Sequence, residues 1–293
     1  MVARRKSGKP GARMTIGRAL CYAFLAIVGF AMFYPFYYVV MYSVSSYSQV
    51  IGKGAILRPY GFTLDAIKNV LKDPNIYTAY GNTLFLAIVG TLMSLVATLL
   101  FAYPLSCHVR GHRVISFLVY FTMLFGGGML PTYYVVRQAG LLDTLWSLII
   151  PGLINPFYVF IVRNFFEATP NELKESAFID GAGQMRVFVS IMLPLSMAVV
   201  ATMTLFYAVG YWNSYFSAII YIRSASKRPL QLILRDMISQ SNAEDMGDFS
   251  TSDLTPTTMK MATLTVSVIP ILCVYPFLQR FFAKGVMVGA VKG

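Results

Sequence analysis

The spacing of charges restricts this chain more than any other feature. Six stretches contain no Asp, Glu, Lys or Arg: residues 19–52, 74–109, 114–136, 144–162, 187–222 and 261–279. The shortest hold nineteen residues, and at about 1.5 Å rise per residue a helix of that length just covers a hydrocarbon core about 30 Å thick. One Lys or Arg at mid-bilayer costs roughly 3 kcal/mol, so windows this regular point to lipid as the solvent. Composition agrees: 57% of the 293 residues are hydrophobic, 12% are charged and the mean hydropathy is +0.63. A soluble core could not hide that much apolar surface. The expected fold is all-α, a polytopic membrane helical bundle with six transmembrane helices near 18–42, 80–103, 113–136, 145–165, 191–212 and 262–282.

With the amino terminus inside, the inward segments carry 14 basic and 4 acidic residues and the outward segments 10 and 8. The asymmetry follows the positive-inside rule and predicts that both termini are cytoplasmic. The basic residues flank apolar spans and form no stripe suited to a nucleic-acid groove, so nucleic acid is not an expected partner. The first apolar run is too long for a signal-peptide core. Cys21, Cys107 and Cys273 are widely spaced and imply neither a disulfide framework nor a zinc site. His108 and His112 stand four apart but have no Glu between them and an Arg beside them, a poor metal pair.

Several spans are interrupted at Pro35, Pro104, Gly126-Gly127-Gly128 with Pro131, Pro151, Pro156, Pro194 and Pro270. Breaks are tolerated in a membrane where neighbours or a wet cavity satisfy the freed backbone, and they then mark binding sites or moving parts. Isolated prolines are equally explained by kinks in a tight bundle. Between the fifth and sixth spans, Pro229 to Leu234 predicts a short surface helix before the polar run at 239–253.

The stretch from Glu167 to Gly183 reads as helix, turn, helix. Thr169 is a suitable N-cap, Pro170 suits the first helical position, and Glu172 falls where a capping-box acid reaches back. Gly181 permits a positive φ and can end the short helix, with a second helix beginning near Gln184. A short helix held across the cytoplasmic ends of two spans suits a soluble partner and a transmitted push.

In this stretch Glu175-Ser176-Ala177, Asp180-Gly181-Ala182, Phe188, Ile191, Leu193 and Pro194 resemble the EAA loop of ABC importer permeases, with Ser176 where the family usually has Ala. The run from Gln279 to Gly293 resembles the carbohydrate-uptake, maltose-permease-like class. Phe125 to Tyr133 and Pro229-Leu230-Gln231 resemble its lipoprotein-associated oligosaccharide branch, which includes importers of alginate and pectin fragments. The resemblance implies a non-catalytic subunit in a bacterial inner membrane, with a cytoplasmic tail at 1–17, a permease domain at 18–283 containing a coupling loop at 167–190, and a cytoplasmic tail at 284–293. It implies that Glu175 meets a basic residue of the ATPase, that Gly181 sets the turn, and that Ala177 and Ala182 allow close packing. Implied partners are an ATP-binding cassette ATPase dimer, a second, similar permease, an extracytoplasmic sugar-binding protein and an oligosaccharide.

The sequence has no Gly-x-x-x-x-Gly-Lys-Ser/Thr phosphate loop, so no cofactor is expected on this chain, and ATP and Mg belong on the ATPase. The spans lack the carboxylates that ion-coupled carriers use, which weakens the alternative of an ion-coupled secondary carrier or channel. Sugars are held by aromatic faces, amides and hydroxyls. Tyr211, Trp212, Asn213 and Tyr215 supply these at the outer end of the fifth span, with Tyr133, Tyr134, Asn155 and Asn82 as further candidates. Aromatic residues also gather at any membrane interface. Acidic chains would gain from Lys53, Arg58, Arg223, Lys227, Arg228 and Arg235, although Glu244, Asp245, Asp248 and Asp253 nearly offset them.

Overall fold

A computed structural model describes residues 16–244, 255, 257–270 and 272–273; among them the regular elements are all helices, joined by turns and loops, with one isolated bridge between Ser45 and Phe62. The principal helices are α1 (Ile16–Ser43), α2 (Pro74–Ser106), α3 (His112–Leu124), α4 (Met129–Gln138), α5 (Trp146–Gly152), α6 (Pro156–Glu167), α7 (Asn171–Ile179), α8 (Gln184–Leu195), α9 (Met197–Trp212), α10 (Leu230–Glu244) and α11 (257–270). Among the described residues α1 and α2 are each long and apolar enough to cross a bilayer, and the count rises to five where each of three bent pairs is taken as one span. The expected sixth span begins within α11; of the rest only 272–273 are described, and nearly all of the two expected tails lie outside the described residues.

The interruptions differ in kind. Helices α3 and α4 meet at 113°, so the expected third span turns back on itself instead of forming one rod. Gly128 takes φ +83°, a region glycine enters freely, and three consecutive glycines forfeit helix propensity of about 1 kcal/mol each. Helices α5 and α6 meet at 52°, and α8 and α9 at 82°, the latter just past Pro194. By contrast Pro35 and Pro104, expected as interruptions, lie inside continuous helices. A lone proline removes one hydrogen bond and leaves its apolar flanks helical.

The rigid spine is α2. Asp73 caps it by accepting a 2.8 Å hydrogen bond from the Asn75 amide, and Pro74 occupies its first turn. Its 33 residues extend about 50 Å through one π-type turn at Leu86–Gly90. Antiparallel α9 packs beside it. Ser94 and Tyr211 hydroxyls share a 2.8 Å bond, and one turn on Thr98 and Tyr207 share one of 2.7 Å.

Helix α1 stands apart, with none of its apolar window buried. Among the described residues its C-terminal part is anchored: the Tyr34 hydroxyl accepts from the Ile56 amide, Tyr37 donates to Leu57 O, Tyr42 packs with Val50 and Ile56, and Ser43 Oγ accepts from Thr265. An apolar face of this extent is stable only against lipid or another protein.

Candidate functional site

Helix α7 bridges α6 and α8 beside the end of α2 that carries Ser106. Its start differs from the expected cap. Pro170 is extended (φ −53°, ψ 133°) and takes the N-cap position itself, with no side-chain cap bond. A proline has no amide hydrogen, so Glu172 has nothing at that position to reach back to. The C-terminus follows expectation: Gly181 takes φ +81°, its amide donates to Phe178 O (3.0 Å), and the Ala182 amide donates to Ala177 O (2.9 Å). This pair of bonds is a Schellman closure. A Cβ on Gly181 would meet nothing within 4 Å, so conformation and not space demands glycine there.

The floor beneath α7 is apolar. Ala177 is buried in a cluster with Tyr103 and Leu105 of α2, Phe166 of α6 and Val187 and Phe188 of α8, with Ala182 and Leu193 packed at its edge. Tyr103, Phe166 and Phe188 form a three-ring contact, the Tyr103–Phe188 centroids lying 4.8 Å apart. Tyr103 also donates to Gln184 Oε1 at 3.1 Å. Motion imposed on α7 therefore reaches three long helices through close-packed aromatics. Its outer face carries exposed Glu175, Ser176 and Asp180 together with exposed Leu173, Phe178 and Ile179, the last 86% exposed; Pro194 is also exposed. Alongside, His108 Nε2 lies 3.8 Å from Glu167, which Arg163 holds at 2.8 Å, and the His108 and His112 rings meet edge to face.

At the other end of α2 the expected sugar-contacting residues separate. Tyr211 and Trp212 are buried in helix packing. Asn82 donates to Ser226 O and Arg228 O (2.9 and 3.1 Å), and Asn155 caps α6 by accepting from the Phe157 amide. Asn213 is exposed and donates to Val209 O; Tyr134 and Tyr215 are exposed. Tyr133 stacks on Tyr221 at 6.3 Å, and its hydroxyl accepts from Arg223 at 3.3 Å. Four of these residues, Tyr211, Asn82, Asn155 and Asn213, thus have polar groups engaged in helix packing or helix ends. Two buried polar atoms nearby, Trp212 Nε1 and Tyr80 Oη, have no hydrogen-bond partner among the described residues and share one cluster region with Leu230 and Leu234.

Asp143 was not singled out by its sequence context, yet it organises this end. Its carboxylate accepts from the Arg223 and Ser224 amides (both 2.9 Å) and from the Ser224 hydroxyl, and Lys227 approaches it. The Ser224 hydroxyl first, then the two amides and the Lys227 charge, hold the carboxyl well below the usual carboxylate range. The six outer basic residues divide accordingly. Lys227, Arg228 and Arg235 face carboxylates, whereas Lys53 and Arg58 lie over the Tyr60 ring and Arg223 reaches Tyr133.

The family model for binding-protein-dependent transport system inner membrane components matches residues 76–288. Protein LplC of Bacillus subtilis (strain 168) is 45% identical over 273 residues, 92% of each chain. The polygalacturonan/rhamnogalacturonan transport system permease protein YtcP of the same organism is 42% identical, covering 94% of this chain and 97% of the relative. A chain in the crystal structure of a bacterial ABC transporter involved in the import of the acidic polysaccharide alginate superposes with a TM-score of 0.84 at 31% identity, covering 94% of this chain and all of that one. A chain of the alginate transporter in complex with alginate pentasaccharide-bound periplasmic protein matches at TM-score 0.56 and 17% identity, a likeness of fold alone.

Proposed function

This chain belongs to the family of binding-protein-dependent transport system inner membrane components, and from that premise we propose that it is the permease through which a sugar-importing ABC transporter moves oligosaccharides, acidic ones included. It spans the inner membrane six times with both termini in the cytoplasm. It works with an ATPase dimer that holds ATP and Mg, a second, similar permease and an extracytoplasmic sugar-binding protein.

One observation carries the reading: α7 is closed by Gly181 and wedged on the Tyr103–Phe166–Phe188 rings. An exposed helix on a rigid aromatic floor converts movement of a docked partner into movement of α2, α6 and α8 together. Glu175 on its outer face is available to a basic residue of the ATPase. The exposed apolar flank of α1 faces lipid or the second permease.

Acidic substrates are supported by the polygalacturonan and alginate transport of the similar proteins and by Arg223, which at the mouth reaches a neutral phenol while its neighbours are matched with carboxylates. Reconstituted uptake of neutral against uronic oligosaccharides, with the ATPase, the second permease and the binding protein supplied, tests the assignment. Uptake of neither class would remove it.

A further inference from the structure

The segment that follows α1 folds back along it. The Ser46 amide donates to Tyr60 O at 2.9 Å and Ser45 Oγ accepts from the Tyr60 amide at 3.1 Å, so Tyr60 stands level with the end of the helix. Between these contacts the chain descends. The Ile56 amide donates to the Tyr34 hydroxyl at 3.3 Å, and Tyr37 donates to Leu57 O at 2.8 Å. Tyr34 lies nine residues before Ser43, a drop of about 13 Å along a helix, and a helical side chain leans further towards the amino terminus.

Depth decides which solvent this loop meets. The apolar window of α1 holds 27 residues, about 40 Å of helix against a hydrocarbon core about 30 Å thick. Even with the whole surplus of about 10 Å standing clear beyond Ser43, the level of Tyr34 reaches the hydrocarbon boundary. Irregular backbone is costly there unless protein groups satisfy it, and the two phenols do so for Ile56 and Leu57. Ile56 is buried against Tyr42 and Val50, whereas Ile51 and Leu57 are exposed. Lys53 and Arg58, both exposed, lie 5.3 and 5.8 Å from the centre of the Tyr60 ring, and neither meets a carboxylate among the described residues.

On the reading of α1 as a membrane span, we propose that residues 51–60 form an immersed loop that binds an anionic phospholipid, Lys53 and Arg58 holding its phosphate while Ile51 and Leu57 lie against its acyl chains. Tyr60, level with the helix end, occupies the headgroup layer, where an amphipathic ring is at home. Long cationic side chains reach that layer from residues set deeper. The phosphate of a zwitterionic lipid is matched by its own ammonium, so two cations without carboxylates favour a lipid of net negative charge.

Photocross-linking in the purified complete transporter tests this, with benzoylphenylalanine replacing Leu57 and the complex held in nanodiscs of equimolar phosphatidylglycerol and phosphatidylcholine. Mass spectrometry should find position 57 joined to lipid, with phosphatidylglycerol in excess by roughly 5-fold or more, the preference that a basic group near the surface confers. Lys53→Gln combined with Arg58→Gln should keep the lipid adduct and bring the two lipids to equal yield. Equal labelling with Lys53 and Arg58 in place overturns the anion site, as does an excess that the double variant retains. Adducts to the second permease or the binding protein instead of lipid, or the absence of any lipid adduct, overturn the immersion itself.

Discussion

Thr98 and Tyr207 share a 2.7 Å hydrogen bond across the antiparallel pair α2 and α9, and the Tyr207 hydroxyl also accepts from the Asn155 amide that precedes α6. One phenol therefore ties three helices. One turn away the Tyr211 ring lies so close to α2 that a Cβ on Gly90 would sit 2.9 Å from it. Removing the Tyr207 hydroxyl with Tyr207→Phe should cost about 1 kcal/mol, in the range of interhelical bonds in membranes. Gly90→Ala should cost roughly 1–3 kcal/mol through overpacking, because the ring is held by Ser94 and cannot swing away. Unfolding of the detergent-solubilised protein measures both, and an unchanged transition in Gly90→Ala would refute the close approach.

Gly181→Asp places a side chain at φ +81°, a strain of roughly 1–2 kcal/mol, and sets a second anion beside Asp180. Glu175→Lys reverses the outward charge. Both variants should assemble yet lose uptake, with ATPase activity no longer stimulated by loaded binding protein. Normal transport in both would defeat the role given to α7.

The Asp143 clamp has a defined pH dependence. Its folded-state pKa is depressed, so the stability it contributes is present above the ordinary carboxylate range and is lost only as pH falls through the lower folded value. Protection of the Arg223 and Ser224 amides against hydrogen exchange, corrected for intrinsic rate, should hold from neutral pH down to about pH 4. Asp143→Asn suits the positive φ of that position but removes the charge. It should lower this protection at every pH in the range.

Arg223→Gln should reduce uptake of uronic oligosaccharides several-fold and leave that of neutral ones unaffected. Arg235→Gln serves as the control, because Arg235 already faces Asp236. Equal effects of the two substitutions on both sugar classes would show that Arg223 contributes only to the general field.

The turn at Gly181, the helix start at Gln184 and the bends at Gly126–Gly128 and beyond Pro194 were legible because each depends on residues within a few positions of one another; the short surface helix expected after Pro229 instead runs on to Glu244 and buries Leu230, Leu232 and Leu234. The Thr169 cap was misread for an equally local reason: Pro170 could occupy either of two adjacent positions, and only its ψ of 133° decides between them. The sugar-contacting residues were read from chemistry alone. Their amides and phenols are the groups that also satisfy helix ends and interhelical contacts, and Asn82, Asn155 and Tyr211 are used that way here.

By itself the sequence determined the apolar character, the helical class and the position of the short helix between α6 and α8, since hydropathy, charge spacing and turn chemistry are properties of short windows. The tertiary structure alone decided that Ser94 and Thr98 meet Tyr211 and Tyr207, and that Asp143 gathers a segment 80 residues away. Those facts depend on which helix faces are brought together, and no window of sequence contains both faces.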